Sequence, residues 1–286
     1  MTSSWQVRGR TLSTARPLVM GIVNLTPDSF SDGGMLSTTD DAIARAASLL
    51  EEGADILDLG GESTRPGADE VSTEEELARV LPIVRELARR FPDVALSVDT
   101  VKSAVAAAAI DEGVHIVNDV SGLRIDPAMA ATCASSEVGV VLMHSRGVVA
   151  DMATYAHAVY AGDPMDEVLD ELRDRVEEAI GRGVDARRIA VDPGIGFAKR
   201  AEHSLRVLGT LERLAALGFP VVVGASRKRF IGQITGVTRP SARVHGSVGA
   251  AVAAFERGAH ILRVHDVAAT RQALDVAAAI REAGAA

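Results

Sequence analysis

Eight short apolar stretches of the chain run into polar or ionisable residues. Asn24 closes MGIVN, GGESTRPG follows ADILDL, Asp99 closes ALSVD, and Asn118 and Asp119 follow VHIV. His144 follows VGVVLM, Asp192 follows RIAV, Ser226-Arg227-Lys228 follows VVVGA, and Arg263, His265 and Asp266 stand in AHILRVHD. A single Asp or Asn ahead of a helix is most simply a cap, and Thr100 and Asp126 read that way. Arg45, Arg79 and Arg85 fall within helical patterns and read as solvated faces. Caps do not account for Lys228, Arg263 and His265, nor for carboxylates that close apolar runs, where an ionised group needs a partner. As a set, the cations Arg65, Lys228, Arg263 and His265 suit a phosphorylated or diphosphorylated substrate. The carboxylates Asp99, Asp119 and Asp192, with Asp28 or Asp32, and Asn118 suit a neutral ring rich in N–H groups and acceptors, such as a pterin or purine. An aspartate accepts two parallel N–H bonds, and an asparagine can both donate and accept.

Each apolar stretch precedes a helical pattern: PLVMGIVN then DDAIARAASLLEEG, VALSVDT then KSAVAAAAIDEG, and so on through eight strand-plus-helix units. The strands are apolar without strict alternation, as when both faces are covered. Most helical patterns end on glycine, which suits a helix C-terminus. Eight such units predict a single (β/α)8 barrel over residues 17–286, with a doubly wound open sheet as the alternative. A barrel sets its active site at the C-terminal ends of its strands, where these polar residues fall, and often binds phosphate after its seventh and eighth strands. The leading segment WQVRGRTLSTARP predicts a hairpin around Gly9–Arg10, within an extension over residues 1–16 that closes the bottom of the barrel. The polar stretch 147–163 breaks the pattern and reads as a mobile excursion.

Bulk properties exclude several classes. The chain has 286 residues, 47% of them hydrophobic, a formal net charge of -9 and 3% aromatics. That balance argues against nucleic-acid binding but allows a local basic pocket. The one cysteine, Cys133, rules out an intrachain disulfide and reads as a small buried side chain. The N-terminus lacks the apolar core of a signal peptide, and no apolar run is long enough to span a bilayer, so a cytoplasmic protein without membrane contact is expected. Zinc-type His/Cys spacing, a Walker glycine loop and a G-x-S-x-G elbow are all absent, which leaves serine hydrolysis unsupported.

MGIVNLTPDSFSDGG, LDLGGESTRPGA, SVDT, VNDVSG, VLMHSRG, DPGIGFAK, VGASRKRF and RVHDV occur in order. Together they resemble the signature segments of the dihydropteroate synthase family, over nearly the whole chain. The resemblance implies a pterin-binding barrel. It implies condensation of (7,8-dihydropterin-6-yl)methyl diphosphate with 4-aminobenzoate to 7,8-dihydropteroate and diphosphate, a step of folate synthesis and the target of sulfonamides. It implies Mg²⁺ near Asn24, and one asparagine oxygen suffices for a hard cation that keeps its waters. Asp99, Asn118 and Asp192 match pterin-ring contacts, and Lys228 the lysine that reaches the pterin. Arg263 matches the arginine beside the ring and His265 the histidine at the diphosphate. Met143 is counted with the substrate-binding residues. Thr64, Arg65 and Pro66 match a second mobile loop that, with Phe197 and the stretch from Ser226 to Arg229, forms the aminobenzoate site. Residue 229 is arginine here where some members have serine. The segment TPDSFSDGG matches the first mobile loop, and Asp28, Asp32 and Lys228 are the catalytic candidates. A homodimer is implied by analogy. The alternatives are a pterin-dependent methyl transferase on the same barrel and a catalytically silent pterin-binding paralogue; the latter would have lost the Thr-Arg-Pro or Ser-Arg-Lys residues, which are intact.

Overall fold

The computed structural model describes residues 4–26, 39–63 and 70–285. The chain opens with an antiparallel hairpin of β1 (Ser4–Val7) and β2 (Arg10–Ser13), turned at Gly9, whose φ of 65° suits glycine. Eight parallel strands follow: β3 (Leu18–Asn24), β4 (Ile56–Gly60), β5 (Ala95–Asp99), β6 (Ile116–Asp119), β7 (Gly139–Met143), β8 (Ile189–Asp192), β9 (Val222–Val223) and β10 (Ile261–Val264). From β4 to β8 each strand pairs with its predecessor in sequence, and β10 pairs with both β9 and β3. A parallel bridge between Val191 and Val221 completes the ring. The sheet is therefore a barrel, and the open-sheet alternative falls away.

The connecting helices are α1 (Thr39–Glu51), α2 (Thr73–Arg90), α3 (Ser103–Asp111), α4 (Met129–Ser136), α5 (Pro164–Gly181), α6 (Ala201–Gly209), α7 (Glu212–Ala215), α8 (Arg229–Thr235), α9 (Val244–Glu256) and α10 (Val267–Ala285). Their starts follow local chemistry. Ser72 caps α2 by accepting from the Glu75 amide at 3.2 Å, with three glutamates in the first turn facing the positive dipole end. Asp163 caps α5, with Pro164 in its first turn.

Two apolar zones hold the barrel. The larger lies between the strands and the helix ring and includes Leu57, Leu59, Val98, Val140 and Val191. The smaller fills the bottom of the barrel, where Met20, Ile56, Ala95, Ile116, Val141, Ala190, Val222 and Ile261 meet Trp5 and Val7 of the hairpin. Trp5 is fully buried and its indole N–H donates to the Arg188 carbonyl at 2.8 Å, so the hairpin plugs the N-terminal end of the barrel. Burying one such indole contributes about 1.5–3 kcal/mol. No described helix is long and apolar enough to cross a membrane.

Candidate active site

Side chains along a strand alternate between two faces. Counting from the apolar bottom layer, the next inward layer holds Asp58, Ser97, Asn118, Met143, Asp192 and Arg263, and the one above it Asn24, Asp99, Ser226 and His265. The barrel interior thus turns from apolar to polar within two residues and opens into a cavity of about 430 Å³ at the C-terminal mouth.

Asp58 is the hub of the polar layer. One carboxylate oxygen accepts from the Ser97 hydroxyl at 2.6 Å; the other accepts from the Asn118 amide at 3.1 Å and from Arg263 Nε at 2.6 Å. Arg263 then reaches Asp99 through Nη2 at 2.6 Å. Four strands are cross-braced by one fully buried carboxylate. Asn118 gives one N–H of its amide to Asp58, which fixes the amide and leaves its carbonyl oxygen and second N–H to meet a ligand.

Burial shifts the protonation of the cavity's charged groups. Burial, together with the Asp58 carboxylate, pushes Asp99 up to about 7 even though Arg263 opposes it. Burial pushes Asp192 up to about 6 against the hydrogen bond from the Gly194 amide. Burial, reinforced by Arg263, brings Lys228 down to about 8. Burial works against the Arg263 cation, but Asp58 and Asp99 hold it protonated, above the ordinary arginine range. A ring that gives N–H bonds to Asp192 and Asp99 would favour their charged forms.

The loop after β8 carries the site outward. Gly194 donates to Asp192 Oδ1 at 2.7 Å, and its φ of 65° and the His144 carbonyl, 1.9 Å from where a Cβ would sit, exclude other residues. The loop then presents Phe197, whose ring lies 4.1 Å beneath Lys228 Nζ. Buried Lys199 pins the loop from behind through His144 Nδ1 at 2.7 Å and the Gly194 and Phe197 carbonyls, each at 3.2 Å. Across the mouth, Ser226 Oγ lies 3.0 Å from His265 Nδ1, and Arg227 is paired with Asp266 at 2.6 Å, which ties together the loops after β9 and β10. Arg227 serves as this tie, with a φ of 58°.

A pterin binding enzyme family model matches residues 20–265. The dihydropteroate synthase of Neisseria meningitidis serogroup C is 45% identical over 273 residues, 94% of this chain and 95% of the relative. Two solved structures are similar throughout. The dihydropteroate synthase of Xanthomonas albilineans with 4-aminobenzoic acid has a TM-score of 0.90 and 47% identity, and that of Yersinia pestis with a sulfonamide drug has 0.91 and 43%; each comparison covers 98% of this chain and 99% of the other. The chain belongs to the dihydropteroate synthases, within the pterin-binding enzymes.

Asn24, Asp99, Asn118, Met143, Asp192, Phe197, Ser226, Lys228, Arg263 and His265 all line the one cavity. Asp28 and Asp32, and Thr64, Arg65 and Pro66, lie outside the described residues. The base of the latter segment is described: Glu62 accepts from the Val71 amide at 3.0 Å and from Lys102 at 2.9 Å. Asp119 faces away from the cavity and accepts from the Ser121 and Leu123 amides at 2.7 and 3.2 Å, so it shapes a turn. His144 likewise sits behind the site.

Three expectations are corrected. Arg45 and Arg79 are not solvated faces: Arg45 donates to the His265 carbonyl at 3.1 Å and Arg79 to the Gly61 carbonyl at 2.7 Å, each steadying a strand-end loop from the helix ring. The stretch 147–163 is not a loose excursion. Met152 and Ala158 are buried, the Met152 carbonyl accepts from the Ala198 amide at 2.7 Å, and Ala153 and Tyr155 line the cavity. Sequence reading missed Asp58, Lys199 and Tyr155. Asp58 carried a signal: it stands two residues after Ile56, on the same face of an otherwise apolar strand. Nothing in the local sequence around Tyr155 marks it.

Proposed function

We propose that this chain joins (7,8-dihydropterin-6-yl)methyl diphosphate to 4-aminobenzoate, forming 7,8-dihydropteroate and releasing diphosphate. The observation that carries this is the Asp58-braced set of Asp99, Asn118, Asp192 and Arg263 at the floor of a cavity whose walls bear Lys228, His265 and Phe197. The ring sits on that floor. Asp192 accepts a pair of parallel N–H bonds, the Asn118 carbonyl accepts another, and Arg263 lies beside the ring. His265 and the loop after β9 receive the diphosphate.

The C–O bond to diphosphate breaks first, and its electron pair leaves with the diphosphate. The positive charge left on the methylene is shared with the pterin ring, where the carboxylates Asp99 and Asp192 stabilise it. The arylamine nitrogen then forms the C–N bond and sheds its proton. Asp28 and Asp32, outside the described residues, are the proposed acids of the segment that follows Asn24. Asn24 is half-buried at the cavity, and among the described residues no group of three or more His, Cys, Asp or Glu could hold a metal. One amide oxygen suits Mg²⁺, which keeps most of its waters and shares the diphosphate; when bound it would neutralise charge on the leaving group.

Sulfonamides, which also carry a para-amino ring, compete with 4-aminobenzoate in this reading. A homodimer is supported by exposed Leu205 and Ile234 beside an apolar groove between α6, α8 and α9, and sedimentation at micromolar concentration tests it. The reaction is assigned to the cytoplasm. The test of function is mass spectrometry of the product formed from the pterin diphosphate, 4-aminobenzoate and Mg²⁺. Diphosphate release that needs both substrates supports the synthase over the methyl transferase and the silent paralogue. Positional isotope exchange within the diphosphate, without amine, supports departure before attack; its absence together with failure to trap the cation favours concerted displacement.

A further inference from the structure

A lysine buried in a barrel wall needs partners for its charge, and Lys199 meets them at three points. Its Nζ lies 2.7 Å from His144 Nδ1 and 3.2 Å from each of the Gly194 and Phe197 carbonyls. Gly194 is thereby held from both sides: its N–H donates to Asp192 Oδ1 at 2.7 Å, and its carbonyl accepts from Lys199. On the far side of the imidazole, His144 Nε2 faces Glu171 Oε2 of α5 at 3.1 Å, and Arg146 pairs with the other oxygen of Glu171. A column of Lys199, His144 and Glu171 therefore runs from the turn that carries Asp192 and Phe197 out to the helix ring.

The protons along this column can be counted. Burial works against the Glu171 carboxylate, but His144 and Arg146 bring it down to about 2, so it is ionised. Burial, reinforced by Lys199, brings His144 down to about 3, so the imidazole is neutral and carries one proton. The Glu171 carboxylate claims that proton at Nε2, because it can only accept. Nδ1 is then a bare acceptor, and Lys199 Nζ faces three acceptors in all. Only an ammonium has an N–H for each; a neutral amine would set its own lone pair against one of them. Burial favours the neutral amine, helped by Arg175 and Arg146, while the carboxylates of Asp192 and Glu171 favour the cation. Lys228 and Arg263 are the other cations that face Asp192. We propose that Lys199 is a positioning residue of the ring site: as an ammonium bound to His144 and to the Gly194 and Phe197 carbonyls, it holds the turn that aims Asp192 and keeps that carboxylate ionised to accept from the ring. This role rests on the reading above, in which Asp192 accepts the ring N–H bonds, and adds how the chain sustains that charge inside the barrel.

The test is calorimetric titration with 6-hydroxymethyl-7,8-dihydropterin, which carries the ring without the diphosphate, across the range in which Asp192 titrates. Wild-type affinity should rise with pH through a midpoint at about 6. Lys199→Met, which keeps the bulk and removes the charge, should move that midpoint up by about one pH unit, a loss of about fivefold at the wild-type midpoint that shrinks at higher pH. His144→Leu should move it in the same direction, because it strips Nζ of one acceptor. A loss of equal size at every pH would make Lys199 a structural support and overturn the inference, as would an unchanged or lowered midpoint. The ¹⁵N spectrum of the wild-type protein, with the His144 signals assigned by their loss in His144→Asn, checks the same point without a lysine variant. It should show a bare Nδ1 and a protonated Nε2 throughout the titration. A proton on Nδ1 would make Lys199 the neutral partner and overturn the inference even where Lys199→Met fails to fold. A wild-type protein that binds the ring at no pH would overturn the proposed function itself, and the inference with it.

Discussion

The floor and the rim of the cavity handle charge in opposite ways. At the floor, the buried side chains are paired before any ligand arrives: Asp58 serves Ser97, Asn118 and Arg263, and Arg263 serves Asp99. At the rim, Arg200 and Arg229 are exposed and stacked on Tyr155 without a carboxylate. The difference follows from solvent. A charge inside the barrel has no water to fall back on and must be compensated by the protein. A charge at the mouth is hydrated until a ligand displaces the water, so it can be left open for recognition. Preorganisation is therefore concentrated at the floor, while the charges at the rim stay hydrated.

Breaking the floor should have the largest effect. Asp58→Ala leaves Arg263, Asn118 and Ser97 without their shared acceptor, and breaking a buried pair costs about 3–5 kcal/mol. Urea unfolding should register that loss, whereas Arg200→Met at the rim should stay within about 0.5 kcal/mol. Similar losses in the two variants would erase the contrast. Asp192→Asn comes next. It keeps the shape of the side chain but removes a charged acceptor worth about 1.5–3 kcal/mol, so pterin affinity measured by calorimetry should fall about tenfold or more. Unchanged affinity would remove Asp192 from the ring contacts.

The pH dependence sharpens the same comparison. Burial raises Asp192 to about 6 and Asp99 to about 7. Groups whose folded pKa is raised contribute stability that is present below their ordinary value and is lost as pH rises through the folded value. The ligand-free protein should therefore lose this contribution between about pH 4 and 7. A ring that donates to the carboxylates binds the deprotonated form, so its affinity rises over that window. At pH 5, protonation of Asp192 alone weakens binding about tenfold relative to its plateau above pH 7. Calorimetry in buffers of different ionisation enthalpy should show proton release on binding at pH 6, and proton uptake there would contradict the assignment. The smallest effect belongs outside both regions. Arg85 pairs with Glu112 on the helix ring, 65% exposed, and Arg85→Ala should leave melting temperature and kcat/KM within experimental error.

Strand and helix identity, and the strand-end positions of Asn24, Asp99, Asn118, Asp192, Lys228, Arg263 and His265, were legible because they rest on local patterns: apolar runs, helical periodicity, and glycine or proline punctuation. Eight repeats of one unit left few architectures to choose from. What the sequence could not settle was direction. Asp119 and Asn118 are neighbours at one strand end, yet one shapes a turn and the other binds Asp58. Asp58 looks like one polar residue inside an apolar strand until closure of the barrel brings β5, β6 and β10 around it. Arg45 and Arg79 share the pattern of solvated helix faces, and only packing of the helix ring against the strand ends makes them loop anchors. Tyr155 depends on where the long connection after β7 settles. Local composition determines which elements form and roughly where they stop. Which side chains share a cavity depends on strand register and long-range contact, interactions between residues as distant as Asp58 and Arg263, separated by 205 positions, that no local window contains.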